Sequence, residues 1–271
     1  MSTSSDPSIS PTPAQNVKES KPTEVQAVST ALALLETVGR LGQATLTELG
    51  RECGLTYNHT FRLLSTLEKG GYVARDSLKR YFLGPQAYVL GQRADLSRSL
   101  VSVAAPHLDA LHALSGETVL LAVRVNLERM VIDRRKAVHS LRVDWPIGSR
   151  LPLYVGGLGV CLLAFAPPEV QRQVLEGPRR AYTDKTLWER HALEFELLEV
   201  RTRGIRISVD DYAVGEFAIA APILDSQGVS SAALNIAGFS ERLTVEKQGE
   251  YVQAVREAGQ AISKGVYGRE L

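Results

Sequence analysis

Between Thr56 and Ser65 the chain concentrates side chains that can hydrogen-bond a flat polar edge. Tyr57, Asn58, His59 and Arg62 all carry such groups near the start of one apolar-periodic segment. The chemistry that suits them is the reading of nucleic-acid base edges. Asparagine matches adenine, and arginine matches guanine or phosphate. Phe61 lies on the same side and either meets a thymine methyl or turns inward to pack, and Ser65 completes that side. Arg75, Lys79 and Arg80 follow on a short polar turn, where they suit phosphate or minor-groove contact and equally a solvated surface. Thr45, Thr47 and Thr56 can donate to phosphates, and helix capping accounts for them equally well.

Signatures of catalysis are missing. His59, His107, His112, His139 and His191 are scattered without metal-ligand spacing, and Cys53 and Cys161 form no CxxC pair. No catalytic residue, metal or cofactor is expected. "VGGLGV" at 155–160 lacks the lysine of a phosphate loop and reads instead as a tight helix entry or as backbone exposed to a pocket. Asp210 and Asp211 are adjacent, so at most one of them faces any given cavity.

The composition suits a soluble globular chain: 271 residues, 44% hydrophobic and 23% charged. A formal net charge of +1 provides no global field, so any nucleic-acid contact must be local. Residues 1–23, rich in Ser, Thr and Pro, read as a disordered tail without a signal-peptide core, and no apolar run is long enough to span a membrane. A cytoplasmic location is expected.

The elements that must position these groups follow from periodicity. Val28, Ala31, Leu32, Leu35 and Val38 predict a helix over about 25–38. Thr45 with Glu48 reads as a capping box opening a short second helix, which Gly54 closes. Thr56 caps the third helix, whose buried stripe is Thr60, Leu63, Leu64 and Leu67. Two β-prone runs, 72–73 and 81–83, flank the polar turn "DSLK". Helix, helix, turn, helix and hairpin make a winged helix-turn-helix over 24–84. A helical linker over 85–105 follows, broken near Pro106. Residues 106–271 alternate strands with helices, as in an antiparallel sheet flanked by helices. The fold class is therefore α+β.

Taken in order, "VQAVSTALALLETV", "LTELGRECGLTYNHTFRLLSTLEKGGYV", "GSRLPLYVGGLGVCLLAF", "RGIRISVDD" and "AIAAPILDSQGVSSAALNIAG" resemble the IclR family of bacterial transcriptional regulators across about 24–265. The resemblance implies a winged helix that binds double-stranded DNA at a partly palindromic operator. It also implies a GAF-like αβ effector-binding domain, a homodimer or homotetramer, and control of a catabolic operon by a small organic or aromatic acid. Its recognition-helix positions fall on Thr56, Tyr57, Asn58, His59 and Arg62.

Its effector positions fall on Tyr154, Gly156, Gly157, Val160, Asp211, Ala218, Asn235 and Ala237. Several of these are smaller or less polar than the family's usual residues, which suggests an opened pocket and a larger, partly apolar effector. Asn235 and backbone N–H groups would hold that effector, with Arg142 or Arg150 as a partner for a carboxylate. Two rival readings stand beside this one: a winged-helix protein-interaction module, and an enzyme using the C-terminal pocket.

Overall fold

The computed structural model describes residues 25–93 and 95–268, with residues 95–99 described by backbone only. The expected disordered tail lies outside the described residues. The chain divides into two compact units, one ending at Gly91 and one beginning at Gln92.

In the first unit α1 (Gln26–Leu41), β1 (Ala44–Thr45), α2 (Leu46–Glu52) and α3 (Tyr57–Lys69) precede the hairpin of β2 (Val73–Arg75) and β3 (Arg80–Leu83). Their core gathers Leu34, Val38, Leu49, Leu64, Val73 and Tyr81. The stripe expected along α1 is corrected by this core: Val28 and Leu32 are 55% and 56% exposed. The core reaches only the C-terminal half of the helix, so the apolar residues of its first half stay outside.

Helix α2 opens on the expected capping box. The Glu48 N–H donates to Thr45 Oγ1 at 3.4 Å, and the Thr45 N–H donates to Glu48 Oε2 at 2.8 Å. That backbone bond, aided by the Thr45 hydroxyl, holds the Glu48 carboxyl below its usual range. Thr45→Ala is expected to cost about 1 kcal/mol in urea unfolding at neutral pH. A folded-state pKa that is lowered means stability gained above the ordinary glutamate value and lost as pH falls through the lowered one. The difference between wild type and Thr45→Ala should therefore shrink in acid.

Helices α2 and α3 cross closely at Gly50, where an added Cβ would stand 3.0 Å from Thr60 Oγ1. Thr60 is fully buried there and donates to the Thr56 carbonyl at 3.0 Å. β1, two residues long, joins the hairpin as a third strand opposite Arg80 and Tyr81.

The connector contains α4 (Pro85–Gln92) and α5 (Asp95–Ser115). The expected break at Pro106 is corrected, because α5 runs through it. An interior proline costs roughly 3 kcal/mol. Burial of Leu100, Ala104, Leu108 and Leu111 against the sheet offsets that cost.

In the second unit β4 (Thr118–Val125), β5 (Glu128–Arg135), β6 (Arg150–Pro152), β7 (Arg206–Val209), β8 (Glu216–Leu224) and β9 (Ser230–Phe239) form one sheet, ordered β6-β5-β4-β9-β8-β7. Every neighbouring pair is antiparallel. One face packs on α5 and α9 (Val245–Tyr267), around Ile219, Leu234 and Val255. The other packs on α6 (Gly156–Ala164), against which α7 (Pro168–Glu176) and α8 (Arg190–Arg203) pack in turn, around Val131, Leu162 and Leu193. Among the described residues no helix is long and apolar enough to cross a membrane.

Candidate functional site

Two sites emerge, one in each unit. The first is the outer face of α3. Tyr57 and Phe61 are 65% and 47% exposed, with Asn58, His59 and Arg62 also exposed beside them. Of the two readings for Phe61 the inward one is corrected: buried Thr60 and Leu64 fill the inner face, and Phe61 points away from them. Ser65 is half-buried. Thr56 caps α3, accepting the His59 N–H at 3.4 Å, and Thr47 is exposed on α2.

The three hairpin cations differ in freedom. Arg80 is tied to Asp76, its Nε donating to Oδ2 at 2.9 Å, because Asp76 organises the turn and also accepts the Leu78 and Arg80 N–H groups. Arg75 lies 3.8 Å from Glu68. Lys79 is exposed at φ 61°, in the left-handed position of the turn.

The second site is a cavity between the sheet and the N-terminus of α6. Gly156, Gly157, Asp211, Ala218, Asn235 and Ala237, all expected from the sequence, line it together. Leu120, Val143, Leu151 and Leu158 supply apolar wall, with Trp145 and Tyr212 as aromatic wall. The rings of Trp145 and Tyr212 meet edge-on, 5.0 Å apart. The cavity is partly open to solvent and offers about 40 Å³ of water-accessible space.

Three expectations are corrected here. Tyr154 lies outside this cavity; its hydroxyl accepts the Arg180 N–H at 3.1 Å and so anchors the segment after α7. Val160 is fully buried in the apolar cluster, one turn further along α6 than Gly156 and Gly157 and outside the cavity lining. The pair Gly157 and Ala218 does not open volume: a Cβ on Gly157 would stand 2.8 Å from Ala218 Cβ, so the small residues let α6 approach β8.

The cavity's cation is Arg129, not Arg142 or Arg150. Arg142 donates to the His139 carbonyl at 3.2 Å, and Arg150 stands 3.6 Å from Glu128. Arg129 is 4% exposed, with its guanidinium 4.7 Å from the centre of the Trp145 ring. Burial pushes it down to about 10, so it stays charged at neutral pH. Its Nη1 makes no hydrogen bond. The sequence did hold a signal for Arg129, since on β5 it shares parity with buried Val131.

Asp211 is buried, 3.3 Å from Arg206 Nη2, and Arg206 also reaches Glu196 at 3.0 Å. The Gly156 N–H faces the same carboxylate. Burial pushes the Asp211 carboxyl up against the opposing pull of Arg206, and burial alone raises Glu216. Asp211 Oδ1 and Asn235 Oδ1 are buried without a hydrogen bond. Among the described residues no histidine, cysteine or carboxylate cluster is arranged to hold a metal.

This geometry coincides with matches to known proteins. Residues 93–264 match the family model described as bacterial transcriptional regulator IclR C-terminal, and residues 27–77 match the IclR helix-turn-helix domain. The transcriptional repressor IclR of Escherichia coli is 31% identical over 245 residues, covering 89% of each chain. The repressor AllR of the same organism is 31% identical over 241 residues, covering 88% of this chain and 89% of its own. Among solved structures, an IclR homologue from Microbacterium hydrocarbonoxydans complexed with 4-hydroxybenzoate superposes with a TM-score of 0.77 at 25% identity. It covers 89% of this chain and 99% of its own.

Proposed function

Because the chain belongs to the IclR family of bacterial transcriptional regulators, we propose that it represses a catabolic operon and releases its operator when an organic acid fills the cavity beside α6. Arg129 carries this reading. A buried guanidinium with an unbonded nitrogen is costly unless a complementary group joins it, and a carboxylate is that group. Trp145, Tyr212 and the aliphatic wall suit an aromatic body, and the 4-hydroxybenzoate complex of the Microbacterium homologue supports that choice.

The space of about 40 Å³ is smaller than a ring-bearing acid. Such a ligand enters as the loop over 136–149, which carries Val143 and Trp145, moves aside. It thereby favours an opened state, and an effector shifts an equilibrium only through such differential affinity. The connector at 85–105 transmits the shift. The exposed front of α3 reads the major groove. Two copies in a dimer read a partly palindromic site, with the exposed Val28 and Leu32 face of α1 available for pairing. The protein acts in the cytoplasm as a homodimer or homotetramer.

Mobility shift on the DNA upstream of the protein's own gene, with excess competitor, tests this. A discrete complex dissolved by an aromatic acid and untouched by pyruvate is expected; a complex indifferent to every organic acid overturns the effector assignment. Arg62→Ala is expected to weaken specific binding by about 1–3 kcal/mol, and unchanged binding by a folded variant would remove Arg62 from the reading face.

A further inference from the structure

A second and larger hollow adjoins β6. Leu151 of that strand lines the cavity beside α6, and the next residue, Pro152, lines a separate groove, as the alternation of a strand allows. The groove offers about 400 Å³ of water-accessible space. Small-molecule sites occupy roughly 300–1,000 Å³. Two of its lining residues are buried, Tyr154 and Val174, each 6% exposed. Leu127, at the turn between β4 and β5, and Tyr182 extend the apolar and aromatic surface.

The groove is formed in advance by contacts to the backbone. The Tyr154 hydroxyl accepts the Arg180 N–H at 3.1 Å and donates to the Arg180 carbonyl at 3.4 Å. Arg179 Nε donates to the Trp188 carbonyl at 2.8 Å, and its Nη1 donates to the Gly177 carbonyl at 3.1 Å. A site fixed in this way binds without a large ordering cost. The Arg180 side chain is placed differently. Its guanidinium lies 4.9 Å from the centre of the Tyr182 ring, and among the described residues no carboxylate lines the groove to meet it. An apolar groove with guanidinium groups and no acid on its wall is complementary to an amphipathic anion.

We propose that this groove is a second small-molecule site, which takes a two-ring aromatic acid. The ring system lies on Tyr154, Val174 and Leu127, and the acidic group meets Arg180. A single ring would leave much of the groove to water. The proposal stands apart from the effector reading of the cavity beside α6. The two hollows do abut, since the Tyr182 ring stands 5.4 Å from that of Tyr212, so the test must tell them apart.

Calorimetric titration of the full-length protein with 2-naphthoate, and with the uncharged 2-naphthamide, tests the proposal. Arg129→Met is the reference protein, because Arg129 lines the cavity beside α6 and not the groove. The reference is expected to bind one naphthoate per chain with a Kd below about 1 mM, and the amide about tenfold more weakly. Adding Arg180→Gln should weaken naphthoate about tenfold and bring it level with the amide. Adding Leu127→Glu, which sets a carboxylate against that of the ligand, should abolish binding. Arg180 and Leu127 are exposed, so both variants are expected to melt as the reference does. The same two substitutions in the wild-type background should remove the same binding event.

No saturable binding by the reference, or binding that neither substitution weakens, overturns the groove site. A second copy of the chain seated on the groove would instead show as a lower mass of Leu127→Glu in sedimentation equilibrium with no naphthoate bound, and that result overturns it too. The effector reading is scored separately, by operator release in the mobility shift.

Discussion

An Arg129→Met protein is expected to bind operator DNA as wild type does and to lose its response to organic acids. Truncating one partner of a buried charge pair costs about 2–5 kcal/mol, which places the loss of acid affinity between about thirtyfold and several thousandfold. The same substitution is expected to leave the melting temperature of the ligand-free protein unchanged or raise it. Arg129 carries a full charge into a site 4% exposed, where burial has already pushed it down to about 10. Its main compensation there is the face of Trp145. A thioether of similar length keeps the packing against that ring and removes the desolvation penalty. Stability and response thus move in opposite directions, as expected where a desolvated charge is retained for binding. Thermal melting and mobility shift with acid, run on one preparation, read both. A fall in melting temperature together with lost DNA binding would make Arg129 a structural residue and withdraw it from the effector site.

Arg129 also marks the limit of what the sequence discloses. The winged helix was legible because its signals are local: Thr45 with Glu48, Thr56 before α3, and the periodicity of Thr60 and Leu64 each lie within one or two turns. Asp211, Ala218, Asn235 and Ala237 were placed through family resemblance, and the register of β8 and β9 brings Ala218 opposite Ala237. Arg129 needed a non-local fact. Its strand had to be paired through β4 before its parity with Val131 became an inward direction, and the Trp145 loop had to fold over it. The short strands β1 and β6 carry no alternation of their own and are held by partners distant in sequence. Pro106 misled for the reverse reason: a strong local signal yields where the sheet beneath α5 supplies more burial than one helix bond is worth.

Gly157 gives the sharpest test of how the cavity wall is built. Gly157→Val is expected to destabilise the protein by about 3 kcal/mol, the upper part of the range for overpacking a filled interior. The first added carbon would already stand 2.8 Å from Ala218 Cβ, and the Ala218 carbonyl carbon and oxygen lie at 3.5 Å. Central strand β8, paired on both sides, cannot recede. Helix α6 must therefore lift, and it carries Leu158, Cys161 and Leu162 out of the apolar cluster beneath it. The same lift separates the Gly156 N–H from the Asp211 carboxylate, so acid binding should fall along with stability. Restoring space from the other side should rescue both. Gly157→Ala with Ala218→Gly is expected to be more stable than Gly157→Ala alone, a coupling that denaturant unfolding of the four-protein cycle measures directly. Additive effects in that cycle would mean that α6 does not rest on Ala218, and would return Gly157 and Ala218 to the role of simply enlarging the pocket.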